Sequence, residues 1–219
     1  MPKVHSVNLV VILALVAGAG LAACSGPESG AGFSYQELPV ATESVSAGEG
    51  NSVTMGGSPL ALAGSGIRPG EALRSAKLAR GDLSLIDVAD TKGKVRIISV
   101  VPSLDTPVCE QQTHYLSEKN GGLDESVELI TVSVDTPFAQ LRFAREAAIE
   151  NVTFLSDYRD AAFGRAHGLL VEEPHFLARA VLVVDADNVV RYLQVNDELA
   201  AMPDMEAAFR VARSLVGPK

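Results

Sequence analysis

Cys109 closes the stretch PSLDTPVC, residues 102–109, directly after the apolar, β-branched run VRIISVV. The residues that follow it are polar and carry no glycine or proline until Gly121. That layout puts a thiol where a strand ends and a helix begins. The first N–H groups of a helix have no intrahelical partner, and the macrodipole adds partial positive charge there. A thiolate at such a point is stabilised, and the thiolate is the nucleophilic form of cysteine. Thr106, three residues earlier, can place a hydroxyl beside the sulfur that accepts from one partner and donates to another. Pro102 can shape the approach and shield the sulfur from water. A buried structural cysteine, acting as a small hydrophobe, fits the same position. Residue types and spacing alone leave both readings open.

The chain has 219 residues and only two cysteines. The other, Cys24, ends an N-terminal stretch in which Lys3 is followed by an uncharged apolar run over 9–19 and then by LAAC. The run is too short for a confident membrane span and has the three-part layout of a secretory signal, assigned to residues 1–23. Its ending resembles the bacterial lipobox. That resemblance implies cleavage before Cys24, which becomes the lipidated first residue of a lipoprotein held at a membrane outside the cytoplasm, in the cell envelope or periplasm. Several acyl chains together hold firmly. Residues 24–50 are rich in Ser, Gly, Glu and Pro without apolar period, and read as the lipidated cysteine plus a flexible tether. Residues 51–219 are long enough for one domain with its own core.

The formal charge is −9, and losing Lys3 with the signal makes it −10. No block of Lys and Arg stands out, which argues against nucleic acid or an anionic lipid surface as partner. With Cys24 acylated, Cys109 is the only free thiol. An internal disulfide is excluded, and with it the dithiol oxidoreductases.

The elements that would position Cys109 follow from hydrophobic period. Residues 95–101, 127–134, 151–155, 178–184 and 189–195 read as strands, and the first, second and fourth are nearly continuous apolar runs, as in strands covered on both faces. Helices are expected over 109–119, stopped by Asn120-Gly121-Gly122; over 136–149, with Pro137 at its start; over 159–167; and over 203–216, with Met205, Ala208, Phe209, Ala212 and Val216 on one side. Residues 185–188 join the last two strands as a turn. The order β-α-β-α-β-α-β-β-α, preceded by the short alternating pieces SVTM and LALAG, fits an α/β thioredoxin-like fold. Its central mixed sheet is flanked by helices and carries an N-terminal β-hairpin extension.

Three motifs carry a family resemblance. Pro102-x-x-x-Thr106-x-x-Cys109 resembles the peroxiredoxin signature. SVDTPFAQLRF, residues 133–143, resembles the thiol peroxidase branch, the atypical two-cysteine peroxiredoxins. ARAVLVVD, residues 178–185, is similar to the segment carrying that family's active-site arginine. The likeness runs from about Ser52 to Val216. It implies a peroxidase for hydrogen peroxide and alkyl hydroperoxides, with Cys109 attacking the O–O bond and becoming a sulfenic acid. It implies that Arg179 stabilises the thiolate and the peroxide oxygens, that Thr106 hydrogen-bonds to sulfur and peroxide, and that Pro102 walls the pocket. Dimerisation is a further expectation of the resemblance.

One departure stands out. Where the family usually has its resolving cysteine, after Arg142-Phe143, this chain has Ala144. The resemblance therefore implies a one-cysteine form reduced by an external thiol or a thioredoxin-like partner. His114 is read as a partly exposed helix residue rather than a catalytic one. His167 and His175 have no ligand spacing with acids or cysteine, so no metal is expected. No glycine-rich loop joins a strand to a helix, so no cofactor is expected either. Two other readings share the fold: a membrane-tethered redox relay, and a non-catalytic binding lipoprotein.

Overall fold

The apolar runs become the centre of a sheet covered on both faces. The computed structural model describes Met1 and residues 32–90 and 93–217. Lys3, the apolar stretch after it and Cys24 lie outside the described residues. Residues from Phe33 onward form one compact unit.

Its strands are β1 (Ser52–Met55), β2 (Ser58–Ala63), β3 (Lys77–Ala79), β4 (Leu85–Asp87), β5 (Val95–Val100), β6 (Val127–Ser133), β7 (Thr153–Ser156), β8 (Leu170–Val171), β9 (Phe176–Leu177), β10 (Ala180–Val184) and β11 (Val190–Val195). The helices are α1 (Pro107–Glu118), α2 (Pro137–Glu146), α3 (Ala162–His167) and α4 (Met205–Val216). A seven-stranded mixed sheet runs β11-β10-β5-β6-β7-β3-β4. Within it β5, β6 and β7 are parallel, while β10 is antiparallel to both of its neighbours. The expected strands and helices are all present, with ends shifted by a few residues, and the fold is the expected thioredoxin-like one.

Every residue of β5 and of β10 is buried. Alternate side chains feed two cores. Ile97, Leu129, Val181 and Val183 meet Leu116 of α1 and Phe209 of α4 on one face. Ile98, Val100, Ile130 and Leu182 meet Phe163 of α3 together with Val53, Leu62, Val171 and Leu177 on the other. Burying a ring such as Phe209 removes enough apolar surface from water to stabilise the fold by about 2–3 kcal/mol. The expected hairpin extension is β1–β2, turning at Gly56 and Gly57 with φ of 59° and 80°. Both central residues need positive φ in such a two-residue turn, which glycine adopts without a Cβ penalty. The hairpin belongs to a four-stranded antiparallel sheet, β1-β2-β8-β9, that covers one face of the main sheet.

The flexible-tether reading is corrected for residues 33–50. The backbone from 40 to 45 runs along the β11 edge and the loop before α4: Ala41 N–H donates to the Met202 carbonyl at 2.8 Å and Val45 N–H to the Val195 carbonyl at 3.0 Å. Ahead of it, the Gln36 N–H and carbonyl both bond the Gln111 side chain of α1, at 2.7 and 3.0 Å. Phe33 stacks on His114 with ring centroids 3.9 Å apart. The segment has no apolar period because it builds no core of its own. Its isolated rings and backbone groups dock on a surface already formed, and they cover a sheet edge that would otherwise stand open.

Candidate active site

The segment after β5 fixes where the thiol sits. Val101 N–H continues the ladder to the Val132 carbonyl at 3.0 Å, and Pro102 then turns the chain into a loop. Helix α1 opens with Pro107 in its first turn, where the missing N–H costs nothing. It therefore begins two residues before the expected start, and Cys109 is its third residue. Thr106 is the N-cap, in extended conformation with φ −128° and ψ 142°, and its side chain makes no capping hydrogen bond. The dipole end of α1 and its first amides are thus left uncovered by a side-chain oxygen at the turn that carries the sulfur.

Cys109 is a free thiol with no exposed surface. It lies in an apolar cluster with Val101 and Leu104, against which Phe143 and Phe154 pack. Arg179, in the residue before β10, is itself 97% hidden, with 3% of its surface exposed. Its Nη2 stands 3.3 Å from Cys109 Sγ. Two further bonds hold the guanidinium: Nε donates to the Leu199 carbonyl at 2.7 Å, and Nη1 to Gln112 Oε1 at 2.8 Å. The Gln112 amide is held in turn by donating to Ser99 Oγ at 2.8 Å and to the Ala180 carbonyl at 3.4 Å. No carboxylate appears among these contacts, so the guanidinium's charge is directed at the sulfur rather than spent on an ion pair.

The structure thus brings Cys109 and Arg179 together. It does not bring Thr106 onto the sulfur. The Thr106 hydroxyl donates to the Ser103 carbonyl at 3.0 Å, and the residue is exposed, so the expected Thr106–sulfur hydrogen bond is absent. Tight folding of the loop back on itself gives that hydroxyl a nearer acceptor. Pro102 is half-buried at the start of the same loop. His114 is buried rather than partly exposed: its Nδ1 meets Glu118 Oε1 at 2.7 Å and its face is covered by Phe33. Ala144 sits half-buried on α2, one residue after the Phe143 that packs on the thiol cluster.

Two residues escaped the sequence reading. Gln112 lies three residues after Cys109, hence on the same helical face, and that spacing was the available signal. Asp135, in SVDTPFAQLRF, accepts from Ser103 Oγ at 2.7 Å, Leu104 N–H at 2.8 Å and Ser133 Oγ at 2.7 Å. Its tie to the loop spans 31 residues of sequence and leaves no local trace.

The remaining histidine of interest is structural. His167 is buried with both ring nitrogens used, Nδ1 at the Phe163 carbonyl and Nε2 accepting from Arg74 N–H. Among the described residues, no group of three or more His, Cys, Asp or Glu side chains could hold a metal ion.

A thiol at an uncapped helix N-terminus, faced by a buried guanidinium on a thioredoxin-like sheet, defines a thiol-redox protein of that fold class. The Redoxin family profile matches residues 68–209, and the chain belongs to that family. It is 44% identical over 163 residues to a thiol peroxidase of Halalkalibacterium halodurans, covering 74% of this chain and 98% of the relative. It is 42% identical over 163 residues to a thiol peroxidase of Streptococcus pneumoniae, covering 74% and 99%. Among solved structures it resembles a peroxiredoxin-like protein from Aquifex aeolicus, with TM-score 0.71 and 34% identity over 77% of this chain and 99% of that one.

Proposed function

We propose that the chain is a thiol-dependent peroxidase that reduces hydroperoxides, with Cys109 as the attacking thiolate. The observation that carries this reading is the Arg179 guanidinium 3.3 Å from Sγ at the open N-terminus of α1. Relatives named thiol peroxidase, matched over nearly their whole length, support it. The thiolate attacks one peroxide oxygen in line with the O–O bond. An S–O bond forms, the O–O bond breaks, and the electron pair leaves with the second oxygen, which takes a proton to become water or an alcohol. Cys109 ends as a sulfenic acid. Arg179 and the first amides of α1 lie where charge develops on the departing oxygen, and donors fixed in advance there lower the barrier. Thr106 joins the peroxide by exchanging its bond to the Ser103 carbonyl. The apolar cluster around the sulfur favours alkyl hydroperoxides as well as hydrogen peroxide.

Regeneration comes from outside the domain. With Ala144 at the family's resolving position, an external thiol attacks the sulfenic sulfur, releasing water and leaving a mixed disulfide. A second thiol then frees Cys109 and departs in a disulfide with the first. Cys24, acylated in this reading, takes no part.

The N-terminal features support an envelope location: a lipid-anchored Cys24 and a domain folded outside the cytoplasm. Eight residues separate Cys24 from Phe33, where the docked segment begins, so the linker reaches at most about 30 Å when fully extended. Mass spectrometry of the N-terminal peptide from the producing cell tests this, since an unprocessed or unacylated Cys24 rules it out. No described helix is long and apolar enough to cross a membrane.

The peroxidase reading is tested by following peroxide consumption by the full-length protein with a small dithiol as reductant. Wild type turns over, and Cys109→Ser falls to the rate of the dithiol alone. Equal rates in the two proteins would refute the assignment.

A further inference from the structure

Cys109 has no exposed surface, yet its sulfenic acid must meet a thiol carried by another molecule. Something has to open, and the hydrogen bonds show what holds the site shut. Residues 102–106 lie between the last ladder bond of β5, at Val101, and the first helical bond of α1, from Glu110 N–H to the Thr106 carbonyl. Within the loop, Asp105 N–H and the Thr106 hydroxyl bond only to Ser103. Among the described residues, and apart from that first helical bond at Thr106, every hydrogen bond that joins this loop to another element ends on one carboxylate. Asp135 takes Ser103 Oγ on Oδ1 and Leu104 N–H on Oδ2, and the Ser133 hydroxyl steadies Oδ2 from the end of β6. The Asp135 carbonyl is itself bonded by the Ser156 hydroxyl at the end of β7. The one ion pair of this loop among the described residues is between Asp105 and Arg142 at 3.6 Å, with both side chains largely exposed, and such pairs contribute little.

We infer that Asp135 is the latch of the thiol site: its carboxylate sets the equilibrium between a closed loop, in which Cys109 reacts with small peroxides, and an open loop, in which the oxidised sulfur is within reach of a bulky thiol. Asp135 touches neither substrate nor sulfur, so it is a positioning residue that acts through Ser103 and Leu104. A carboxylate suits the task. It accepts from all three donors at once, and hydrogen bonds to an ionised acceptor are the strong ones. Leu104, drawn in by its bonded N–H, belongs to the cluster that walls Cys109 from water. Asp135 also stands one residue before Thr136, the N-cap of α2, whose Phe143 closes the cluster from the other side. One group therefore steadies two walls of the site.

The inference rests on Cys109 being the reactive thiol, and its test uses a readout that does not need turnover. A bulky maleimide is added to the reduced full-length protein, and its attachment to Cys109 is followed by peptide mass spectrometry across a urea series. In Asp135→Ala, Cys109 is labelled at least about ten-fold faster than in wild type, the order expected for losing one or two charge-assisted bonds. That labelling is nearly independent of low urea, as local opening requires, because it exposes little surface. Ser103→Ala, which removes a single bond to the latch, shifts the rate in the same direction by less. Sulfenic acid formation with hydrogen peroxide slows in Asp135→Ala, so the ratio of labelling to oxidation rises on both counts. Unchanged labelling in both variants would overturn the inference. So would labelling that accelerates only with the urea slope of global unfolding, which marks a merely structural residue. Should Asp135→Ala fail to fold, Ser103→Ala and Ser133→Ala decide by the same criteria. Loss of peroxide reaction in wild type would instead refute the peroxidase reading and leave the latch result standing.

Discussion

Two strand-to-helix junctions in this domain bury an ionisable side chain, and they treat the helix N-terminus in opposite ways. After β7, Asp157 turns its carboxylate into the start of α3, accepting from Phe163 N–H at 3.0 Å and Gly164 N–H at 2.8 Å. The amides are taken up by the chain itself, and burial pushes Asp157 up to about 6. At the far end of α3, His167 is equally enclosed. Burial lowers it to about 4, and both its nitrogens are partnered. After β5 the arrangement is reversed. Thr106 does not cap α1, a thiol occupies the first turn, and a guanidinium is brought from the residue before β10 to face it. The first junction is satisfied and inert. The second leaves a helix dipole and a cation aimed at a polarisable nucleophile, with apolar side chains around it. What separates a structural junction from a reactive one here is whether the helix's first amides already have an acceptor.

The comparison breaks most clearly at Arg179. Arg179→Met removes the cation while keeping much of the volume. The rate constant for peroxide reaction, followed by stopped-flow, falls by about 10²–10³-fold, the range for losing a preorganised donor to developing charge. Gln112→Leu leaves the guanidinium in place but frees Nη1, and costs about ten-fold, or about 1.4 kcal/mol, in the same measurement. A larger loss than that of Arg179→Met would show that Gln112 acts directly rather than by orienting Arg179.

The inert junction leaves the rate alone and shows its effect in stability, where the net change in wild type is small. His167 is held below its unfolded value of 6.5. Stability is therefore fully present above that pH and declines as pH falls and the unfolded chain takes the proton first. Asp157 is held above its unfolded value of 3.8. The folded chain takes the proton first as pH falls through about 6, and stability rises. Between pH 7 and pH 5 the first effect costs about 2 kcal/mol and the second returns about 1 kcal/mol. Urea unfolding of wild type should change little over that interval. His167→Gln should gain stability on acidification, and Asp157→Asn should lose about 2 kcal/mol. The same trend in all three proteins would contradict the opposed linkage.

Much of this architecture is written locally in the chain. The β-branched runs at 95–100, 127–133 and 180–184 announce strands buried on both faces, and Asn120-Gly121-Gly122 announces the end of α1, with Gly121 and Gly122 at φ of 65° and 80°. The junction placed Cys109, and the likeness of 178–185 to a known segment placed Arg179. What escaped notice is long in sequence separation or short in length. Strands β8 and β9 have two residues each, too few to show any period, and β3 and β4 have three each. They exist because β2, β7 and the core offer them edges. The docked segment over 33–50 is composed like a linker, because its order comes from the surface it lies on. Thr106 was placed near the sulfur by spacing, but a hydroxyl chooses its acceptor by loop geometry, and the Ser103 carbonyl is nearer. Gln112 had only its three-residue spacing from Cys109 to mark it, and Asp135 acts on a loop far along the chain, which no local pattern encodes.

The central claim is that the α1 junction is a prebuilt peroxide site while the α3 junction is not. It is tested most directly by mixing the reduced full-length protein anaerobically with one equivalent of hydrogen peroxide. Sulfenic acid at Cys109 is trapped with a dimedone-type reagent, and its rate of appearance is followed by mass spectrometry. Stoichiometric trapping at Cys109, many-fold faster in wild type than in Arg179→Met, is the predicted result. Trapping no faster than for a small free thiol, and equal in the two proteins, would contradict it.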